Sequence, residues 1–312
     1  MSSATRRPVI LDCDPGTDDA HALWLALASP EIDLRLVTVS GGNVGLDRTL
    51  ANALAVTGLA GACVPVARGA ERPLLGRFRS ETAVHGDDGL AGVVLPRGGE
   101  AIGGLAADAI RDLLRGADPG EFTVVGIAPP TNLALALATE PALAARIGEI
   151  VLMAGAWGEG NWTPAAEFNA ASDPEALAVL LGLGVPVTLV TLELTAQALV
   201  TPARIEALRR AGGGACLAAS RRIMEATPPS RRMGGRGHAL HDPCAVAWLV
   251  APELFGARKA AVSVECGQGP GRGRTHVDRW GKTKGEATVT LPETLDADGF
   301  FALLAERLAR LP

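Results

Sequence analysis

The sequence predicts an α/β protein built on a single, mostly parallel sheet that is covered by helices on both faces. Short apolar and β-branched segments alternate with Ala- and Leu-rich segments of helical length along the 312 residues. The strand segments are apolar almost throughout, which is typical of strands buried on both faces. No linker-like change of composition divides the chain, so we expect one domain over residues 1–312.

The predicted elements follow one another in a regular order. The strand segments are PVILDCD (8–14), LRLVTVSGG (34–42), FTVVGIA (122–128), EIVLMAG (149–155) and VPVTLVTLE (185–193). Helices are predicted between them at DDAHALWLALAS (18–29), LDRTLANALAVTGLAG (46–61) and TNLALALATEPALAARI (131–147). Residues 286–311 are predicted to form a strand, a turn and a closing amphipathic helix, and the glycine-rich segments 212–215 and 267–274 are predicted loops.

The composition argues against several classes of partner. Apolar residues make up 48% and charged residues 20% of the chain, as in an ordinary globular protein. The net charge of −5 gives no reason to expect nucleic acid or an anionic membrane as a partner. The arginines clustered between residues 221 and 236 are interpreted as a solvated loop or helix face.

The sequence also indicates a cellular compartment. Two arginines near the start are not followed by an apolar segment of the kind found in secretory signals. No run of about 18 uncharged apolar residues predicts a transmembrane helix. The five cysteines are scattered and form no C-x-x-C pair, which argues against a disulfide framework and a thiolate zinc site. We therefore expect a cytoplasmic protein.

Four carboxylates crowd the end of the first predicted strand: Asp12, Asp14, Asp18 and Asp19. Like charges repel, and burial of an unpartnered carboxylate is unfavourable. One interpretation makes Asp18 or Asp19 a capping acid of the following helix, which leaves Asp12 and Asp14 unexplained. A second is the D-x-D-x-[TV] pattern of aspartate-based phosphotransferases, but the Thr or Val is missing at its place. A third is a hard divalent cation held by carboxylate oxygens, one of which activates a bound water.

The third interpretation agrees with a known family. DCDPGTDDA (12–20) resembles the D-x-D-P-G-x-D-D-A signature of the nucleoside hydrolases, the inosine-uridine preferring type. The other blocks of that family are matched in order by GGN (41–43), VHGDDGL (84–90), VVGIAPPTNLALAL (124–137), VLMAGA (151–156), GNWTPAAEFNAASDPEA (160–176), HDPCAVAWL (241–249) and, more weakly, GRGRTHVD (271–278). The resemblance implies an open, doubly wound sheet and hydrolysis of the N-glycosidic bond of ribonucleosides to nucleobase and ribose.

The resemblance further implies a bound calcium ion. Asp14, Asp19 and Asp242 would be its carboxylate ligands, and the backbone carbonyl of Ile127 would complete the protein shell. Asp14 would also act as the general base on a calcium-bound water. Oxygen ligands suit Ca²⁺, although the sequence alone equally permits Mg²⁺ or Mn²⁺.

The family resemblance also implies how the nucleoside is held. Asp18 and Asn169 would bind the 2′ and 3′ hydroxyls with Asn43 close by, and Asn161 and Glu167 would engage the 5′ side. The full set of expected substrate-binding residues is Asp18, Asn43, Met153, Asn161, Glu167, Phe168 and Asn169.

Four of the five histidines have distinct predicted roles. By resemblance, His241 would donate a proton to the departing base, and His85, in a predicted glycine-bounded loop, would reach the 5′ hydroxyl or the base. His238 is interpreted as an ordinary surface or core histidine, and His21 as a packing or capping residue. The family often carries base-contacting tyrosines before its H-D-P block, but this chain has no tyrosine, and its corresponding segment 219–240 is rich in arginine.

Several alternatives stay open from the sequence. A narrow pyrimidine-nucleoside hydrolase is the runner-up within the same class. An aspartate-based phosphatase and a non-catalytic nucleoside-binding protein are the alternatives from other classes. Because members of the family are commonly oligomers, the resemblance implies a homodimer or homotetramer that takes a small-molecule ribonucleoside.

Overall fold

The structure is a computed structural model that describes residues 6–312. Within these residues the strands are β1 (Arg7–Cys13), β2 (Ile32–Val39), β3 (Val66–Arg68), β4 (Phe122–Gly126), β5 (Ile147–Met153), β6 (Val187–Val190), β7 (Leu199–Val200), β8 (His238–Ala239), β9 (Phe255–Val264), β10 (Thr275–Asp278) and β11 (Val289–Leu295). The helices are α1 (Thr17–Ala28), α2 (Leu46–Leu59), α3 (Thr82–His85), α4 (Ala106–Arg115), α5 (Thr131–Thr139), α6 (Phe168–Ser172), α7 (Pro174–Leu181), α8 (Leu192–Thr195), α9 (Pro202–Ala211), α10 (Ala215–Ala226), α11 (Asp242–Val250) and α12 (Ala297–Leu308). Short 3₁₀ turns cover Pro141–Arg146, Arg231–Met233 and Pro252–Leu254.

Within the described chain, nine strands form one open sheet in the order β10-β9-β11-β6-β5-β4-β1-β2-β3. The seven strands from β11 to β3 run parallel, whereas β9 is antiparallel to both of its neighbours, β10 and β11. A separate antiparallel pair joins β7 to β8. The sequence-based prediction of an open, doubly wound, mostly parallel sheet is confirmed.

The central strands alternate their side chains between two hydrophobic cores. Val9, Leu11 and Cys13 of β1 belong to one core, and Ile10 of the same strand belongs to the other. The first core also contains buried residues of α1, α2 and α9 to α12, and the second contains those of α4, α5 and α7. Because helices cover both faces of the sheet, neither face is exposed to solvent. The central strands therefore do not alternate polar and apolar residues and are almost continuously apolar.

The strand order places a crevice next to β1. The chain leaves β1 towards β2 and β3 and then returns to β4 on the other side of β1. In open α/β sheets, ligands bind outside the carboxyl ends of the strands at such a reversal of strand order. The segments that follow β1, β2, β4 and β5 therefore converge on one place.

Two predicted elements differ from the structure. The helix predicted over 131–147 ends at Thr139, because Pro141 lacks the N–H that would continue it, and a 3₁₀ turn leads into β5 instead. The strand predicted over 185–193 is confined to β6, and α8 follows it directly. The closing strand and helix predicted within 286–311 are confirmed as β11 and α12.

Two further observations concern the chain as a whole. Among the described residues, no helix combines the length and the apolar character that crossing a membrane requires. All five cysteines are free thiols, and three of them are buried.

Candidate active site

A cavity of about 810 Å³ lies at the carboxyl ends of the strands next to β1. Its walls come from widely separated segments: the start of α1, the loop after β2, α3, the ends of β4 and β5, α6, β8 and the start of α11. The sequence-predicted site residues that line it are Asp18, Asn43, His85, Ile127, Met153, Asn161, Glu167, Phe168, Asn169, His241 and Asp242. The structure thus brings together residues that the sequence places far apart.

Asp14 and Asp19 are fully buried and do not line the cavity directly. Asn43 connects both carboxylates to it: the Asn43 backbone N–H donates to Asp14 Oδ2 at 2.7 Å, and its side-chain amide donates to Asp19 Oδ2 at 3.0 Å. Asp19 also accepts backbone N–H groups from Asp14 at 3.0 Å and Gly16 at 2.9 Å. Asp19 therefore caps α1, as the first interpretation of the acidic cluster proposed. This capping role does not prevent a second role as a metal ligand.

Gly42 is required by the close approach of this loop to Asp14. A Cβ atom at position 42 would lie 2.1 Å from Asp14 Oδ2, well inside van der Waals contact. The GGN segment after β2 thus needs a residue without a side chain here.

Asp12 has a structural environment that differs from that of its neighbours. Its Oδ1 accepts hydrogen bonds from the Thr38 hydroxyl at 2.6 Å and from the Asn132 amide at 2.8 Å. These contacts join β1 to β2 and α5. Burial raises the pKa of Asp12 to about 7, although both hydrogen bonds oppose the shift.

Burial also raises the pKa values of Asp14, Asp19 and Asp242. For Asp14, burial and then the charge of Asp19 raise the pKa well above its usual range. For Asp19, burial and then the charge of Asp18 raise the pKa to about 7. For Asp242, burial is again the largest cause, and the charges of Asp18 and Asp19 follow. Carboxylates crowded together in a desolvated site favour their protonated forms unless a cation is bound among them.

The donor set fits a hard divalent cation. Asp18, Asp19 and Asp242 each place one carboxylate oxygen so that the three lie within 4.8 Å of one another. In the described part of the chain, the buried Asp14 Oδ1 and Asn169 Oδ1 have no hydrogen-bond partner. These five groups offer only oxygen, as Ca²⁺ and Mg²⁺ require, so the aspartate cluster could bind a metal. The closest group of three contains Asp18, which the resemblance had assigned to the ribose, rather than Asp14.

Asn169 connects two strand ends below the cavity. Its side-chain amide donates to the carbonyl oxygens of Ile127 at 3.2 Å and Met153 at 3.0 Å. These bonds use its nitrogen and leave its Oδ1 free to accept. The Ile127 carbonyl therefore already accepts one hydrogen bond, and Ile127 lines the same cavity as Asp18 and Asp242.

Glu167 and Asn161 fix the segment that leads into α6. Glu167 is the N-cap of this helix and accepts backbone N–H groups from Gly155, Asn169 and Ala170 at 2.8–2.9 Å. Asn161 Oδ1 accepts the backbone N–H of Phe168 at 2.9 Å. Both side chains therefore have structural contacts, and the amide nitrogen of Asn161 is the group that stays available to a ligand.

His85 lines the cavity at the end of α3, in a helical turn where the sequence predicted a loop. The backbone N–H of Thr17 donates to its Nδ1 at 3.0 Å, and the Thr17 hydroxyl lies at the same distance. Because a backbone N–H can only donate, Nδ1 is the acceptor and the neutral ring carries its proton on Nε2. Burial lowers the pKa of His85, so this neutral donor form is favoured.

His241 lies beside Asp242 at the start of α11, and the hydroxyl of Thr195 lies 2.7 Å from its Nδ1. Burial lowers the pKa of His241; the charge of Asp18 opposes this shift, and that of Arg232 adds to it. The third cavity histidine, His238 on β8, was interpreted from the sequence as an ordinary histidine, but it lines the cavity. Burial lowers its pKa to about 4.

The arginine-rich segment also differs from its sequence-based interpretation. Arg231 and Arg232 line the cavity instead of belonging to a purely solvated face. His21, by contrast, is buried with its Nδ1 3.0 Å from the Ser220 hydroxyl, in agreement with the predicted packing role. A signal for Arg231 and Arg232 was available, because the segment replaces the one in which the family carries base-contacting tyrosines.

An open, doubly wound sheet with carboxylates, amides and imidazoles around a cavity at the reversal of strand order defines an α/β enzyme with a candidate metal site. The sequence model described as "Inosine-uridine preferring nucleoside hydrolase" matches residues 9–302. The chain belongs to this family and is a ribonucleoside hydrolase, an enzyme that hydrolyses the N-glycosidic bond.

Individual relatives and structures support this assignment. The chain is 42% identical over 305 residues to the pyrimidine-specific ribonucleoside hydrolase RihA of Shewanella woodyi, covering 97% of this chain and 98% of that protein. It superimposes on a purine-preferring ribonucleoside hydrolase from Gardnerella vaginalis with a TM-score of 0.89, 31% identity and coverage of 97% and 98%. A plant nucleoside hydrolase gives a TM-score of 0.88, 33% identity and coverage of 97% and 99%. Overall similarity therefore does not select one nucleobase.

Proposed function

We propose that this ribonucleoside hydrolase uses Ca²⁺ held in the aspartate cluster and Asp14 as its general base. The observation that supports the proposal most directly is the carboxylate cluster at the cavity. Asp18, Asp19 and Asp242 place three oxygens within 4.8 Å of one another, and burial raises the pKa values of Asp14, Asp19 and Asp242. A cluster of this kind is unfavourable by itself and becomes favourable when a cation is bound.

Asp14, Asp19, Asp242 and the carbonyl oxygen of Ile127 are the proposed calcium ligands. Oxygen ligation and the absence of any nitrogen or sulfur donor from this set favour a hard cation. When bound, the ion would lower the pKa of a coordinated water and so help to generate the nucleophile.

Asp14 is proposed to take the proton from the attacking water. The Asn43 backbone N–H holds Oδ2, and Oδ1 is the atom without a hydrogen-bond partner, so Oδ1 is the proton acceptor in this proposal. As the water oxygen bonds to C1′ of the ribose, the C1′–N bond breaks and its electron pair stays on the departing base. The products are ribose and the free base.

The ribose is proposed to bind between Asp18, Asn43 and Asn169. The side-chain amide nitrogen of Asn169 donates to the carbonyl oxygens of Ile127 and Met153. Its Oδ1 has no hydrogen-bond partner and would accept a hydrogen bond from a ribose hydroxyl. Asp18 is a further acceptor. Fixed acceptors of this kind hold the sugar while positive charge develops on it.

The 5′ side and the base are proposed to contact a second set of residues. Asn161 and Glu167 would hold the 5′ hydroxyl. Because the Glu167 carboxylate already accepts three backbone N–H groups, the side-chain amide nitrogen of Asn161 is the donor available to this hydroxyl. Phe168 and Met153 supply apolar surface, and Trp162 packs edge-on against Phe168 with ring centroids 5.2 Å apart.

His241 and His85 are proposed as donors to the leaving group and to the 5′ side. The Nε2–H of His85 is fixed by Thr17, and the imidazole of His241 lies beside the proposed metal ligand Asp242. The departing base must be protonated or otherwise stabilised, and a positioned N–H group can provide this.

A narrower candidate is a hydrolase that prefers pyrimidine ribonucleosides. The 42% identity to a relative named as pyrimidine-specific favours it.

Three further features of the protein stay predictions: a single domain over residues 1–312, a homodimer or homotetramer, and a cytoplasmic location. Light scattering on the purified protein tests the oligomeric state.

The experiment for the proposed function is an assay with uridine, cytidine, inosine and adenosine. Chromatography should show free base, and a reducing-sugar assay should show ribose in equal amounts. Activity restricted to uridine and cytidine would support the narrower candidate. Activity that persists in protein verified to be metal-free would contradict the proposed metal site.

A further inference from the structure

Arg232 is held on an ordered turn at the cavity wall. It belongs to the 3₁₀ turn Arg231–Met233, and the segment around this turn is closed by a backbone hydrogen bond from Ser230 to Gly237 at 2.8 Å. Its Nη2 donates to the carbonyl oxygen of Glu159 at 3.0 Å. Since Glu159 follows β5 and also lines the cavity, the Arg232 side chain connects two loops of its wall.

The positive charge of Arg232 has no carboxylate partner. By contrast, Arg209 on helix α9 pairs with Glu206 at 3.0 Å and with Glu225 at 2.8 Å. Within residues 6–312, Arg232 has no carboxylate oxygen within 4.0 Å. Arg232 and His241 line the same cavity. The guanidinium therefore shares this cavity with the proposed proton donor and has no carboxylate to neutralise its charge.

The reaction needs a positive group near the base. When the C1′–N bond breaks, its electron pair remains on the base, whose nitrogen and carbonyl oxygens take up negative charge. A guanidinium is always protonated and offers several N–H donors in one plane, which suits a flat anion. The segment that carries Arg232 contains no tyrosine that could serve instead.

We propose that Arg232 is a further catalytic residue, which stabilises the departing nucleobase anion by donating N–H groups to its acceptor atoms. This proposal rests on the proposed function. Arg232 keeps its proton throughout, and the proton that finally neutralises the base comes from His241 or water. A base with carbonyl oxygens beside the broken bond, such as uracil, fits this role best because those oxygens carry the charge.

The test compares two substrates with different leaving groups. Uridine releases a poor leaving group, whereas p-nitrophenyl riboside releases a phenolate that departs without help. R232Q should lower kcat/KM for uridine by roughly 10²–10³-fold, as loss of one electrostatic donor does elsewhere. For p-nitrophenyl riboside the loss should stay within about threefold, since the ribose contacts and Asp14 are unchanged.

Two further variants serve as controls. R232K retains the charge but not the planar set of N–H donors. Its kcat/KM for uridine should therefore lie between the values of the wild type and R232Q. Arg236 lies in the same segment, donates only to the Met233 carbonyl at 3.1 Å and does not line the cavity. R236Q should therefore leave kcat/KM unchanged for both substrates.

The outcomes separate this proposal from the proposed function. Equal losses on both substrates in R232Q, or no loss on either, would overturn the role of Arg232 while the wild-type activity stands. Failure of the wild-type protein to hydrolyse either substrate would overturn the proposed function and this proposal with it.

Discussion

Replacement of Thr195 by valine tests how His241 is oriented. The Thr195 hydroxyl is fully buried and lies 2.7 Å from His241 Nδ1. Its other neighbour, the Leu192 carbonyl, is 3.4 Å away and already accepts the backbone N–H of Ala196 at 2.9 Å. We expect the hydroxyl to donate to Nδ1, so that the neutral ring carries its proton on Nε2 and can donate to a departing base.

The expected losses of stability and activity follow from the hydrogen bond that Thr195→Val removes. Valine keeps the shape of threonine but removes the only hydrogen-bond partner described for the ring. A buried hydrogen bond of this kind is worth about 1–1.5 kcal/mol, so the free energy of unfolding should fall by about that amount. If the same bond selects the donor form of His241, kcat for uridine should fall about tenfold.

The assay measures kcat for uridine and for p-nitrophenyl riboside in the wild type, Thr195→Val and Thr195→Ser. Serine restores the hydroxyl and should recover most of the uridine activity. Nitrogen-15 NMR of the imidazole should show a proton on Nε2 in the wild type and a mixture of forms in Thr195→Val. Unchanged kcat for uridine in Thr195→Val, or a proton on Nδ1 in the wild type, would show that Thr195 does not orient His241.

Five further predictions concern the acidic cluster and the leaving group. Asp14→Asn should lower kcat by roughly 10²–10⁴-fold with the fold unchanged, and a variant within a few-fold of wild type would place the base elsewhere. Metal analysis of protein never exposed to chelator should find about one divalent ion per chain. In metal-free protein, the free energy of unfolding measured with urea should decrease as the pH rises from 4 to 7. The pKa of Asp19 is raised from 3.8 to about 7 in the folded state. Its contribution to stability is therefore present at low pH and is lost as the carboxyl ionises. Added Ca²⁺ should reverse that decrease; stability that increases over this range would contradict the assignment. His241→Ala should slow uridine hydrolysis but spare p-nitrophenyl riboside, and equal losses would indicate a positioning role. Gly42→Ala should reduce both metal content and activity, because its Cβ would meet Asp14 Oδ2 at 2.1 Å, and circular dichroism should show the fold retained.

Much of the fold could be predicted because burial on two faces leaves a local signal. The apolar runs of β1, β4 and β5 were found in this way, and so were α1 and α2. The errors in the predicted helix over 131–147 and the predicted strand over 185–193 came from local features that override a pattern. Pro141 breaks an otherwise helical segment, and Thr191, directly after β6, starts the turn of α8 instead of continuing the strand. That second difference matters for the site, because α8 carries Thr195 to His241.

Part of the site could be predicted because its residues are close in sequence or carry a motif. Asp14, Asp18 and Asp19 lie within six positions, and a cluster of like charges at a strand end already requires a positive partner. The resemblance to the family added Asp242 and Asn169. The positions of Arg232 and His238 at the cavity wall were not predicted, since a run of arginines and a lone histidine are most often solvated or structural.

Local sequence patterns are enough to predict the layered α/β fold, the acidic loop after β1 and the family of the chain, because periodicity and motifs are properties of neighbouring residues. Which distant groups meet depends on the tertiary structure. The position of β1 between β2 and β4 brings Asn43 and Ile127 to the acidic loop. The packing of β8 and its preceding loop brings Arg232 and His238 to the cavity. Such contacts depend on strand order and loop closure over long stretches of chain, and no local pattern encodes them.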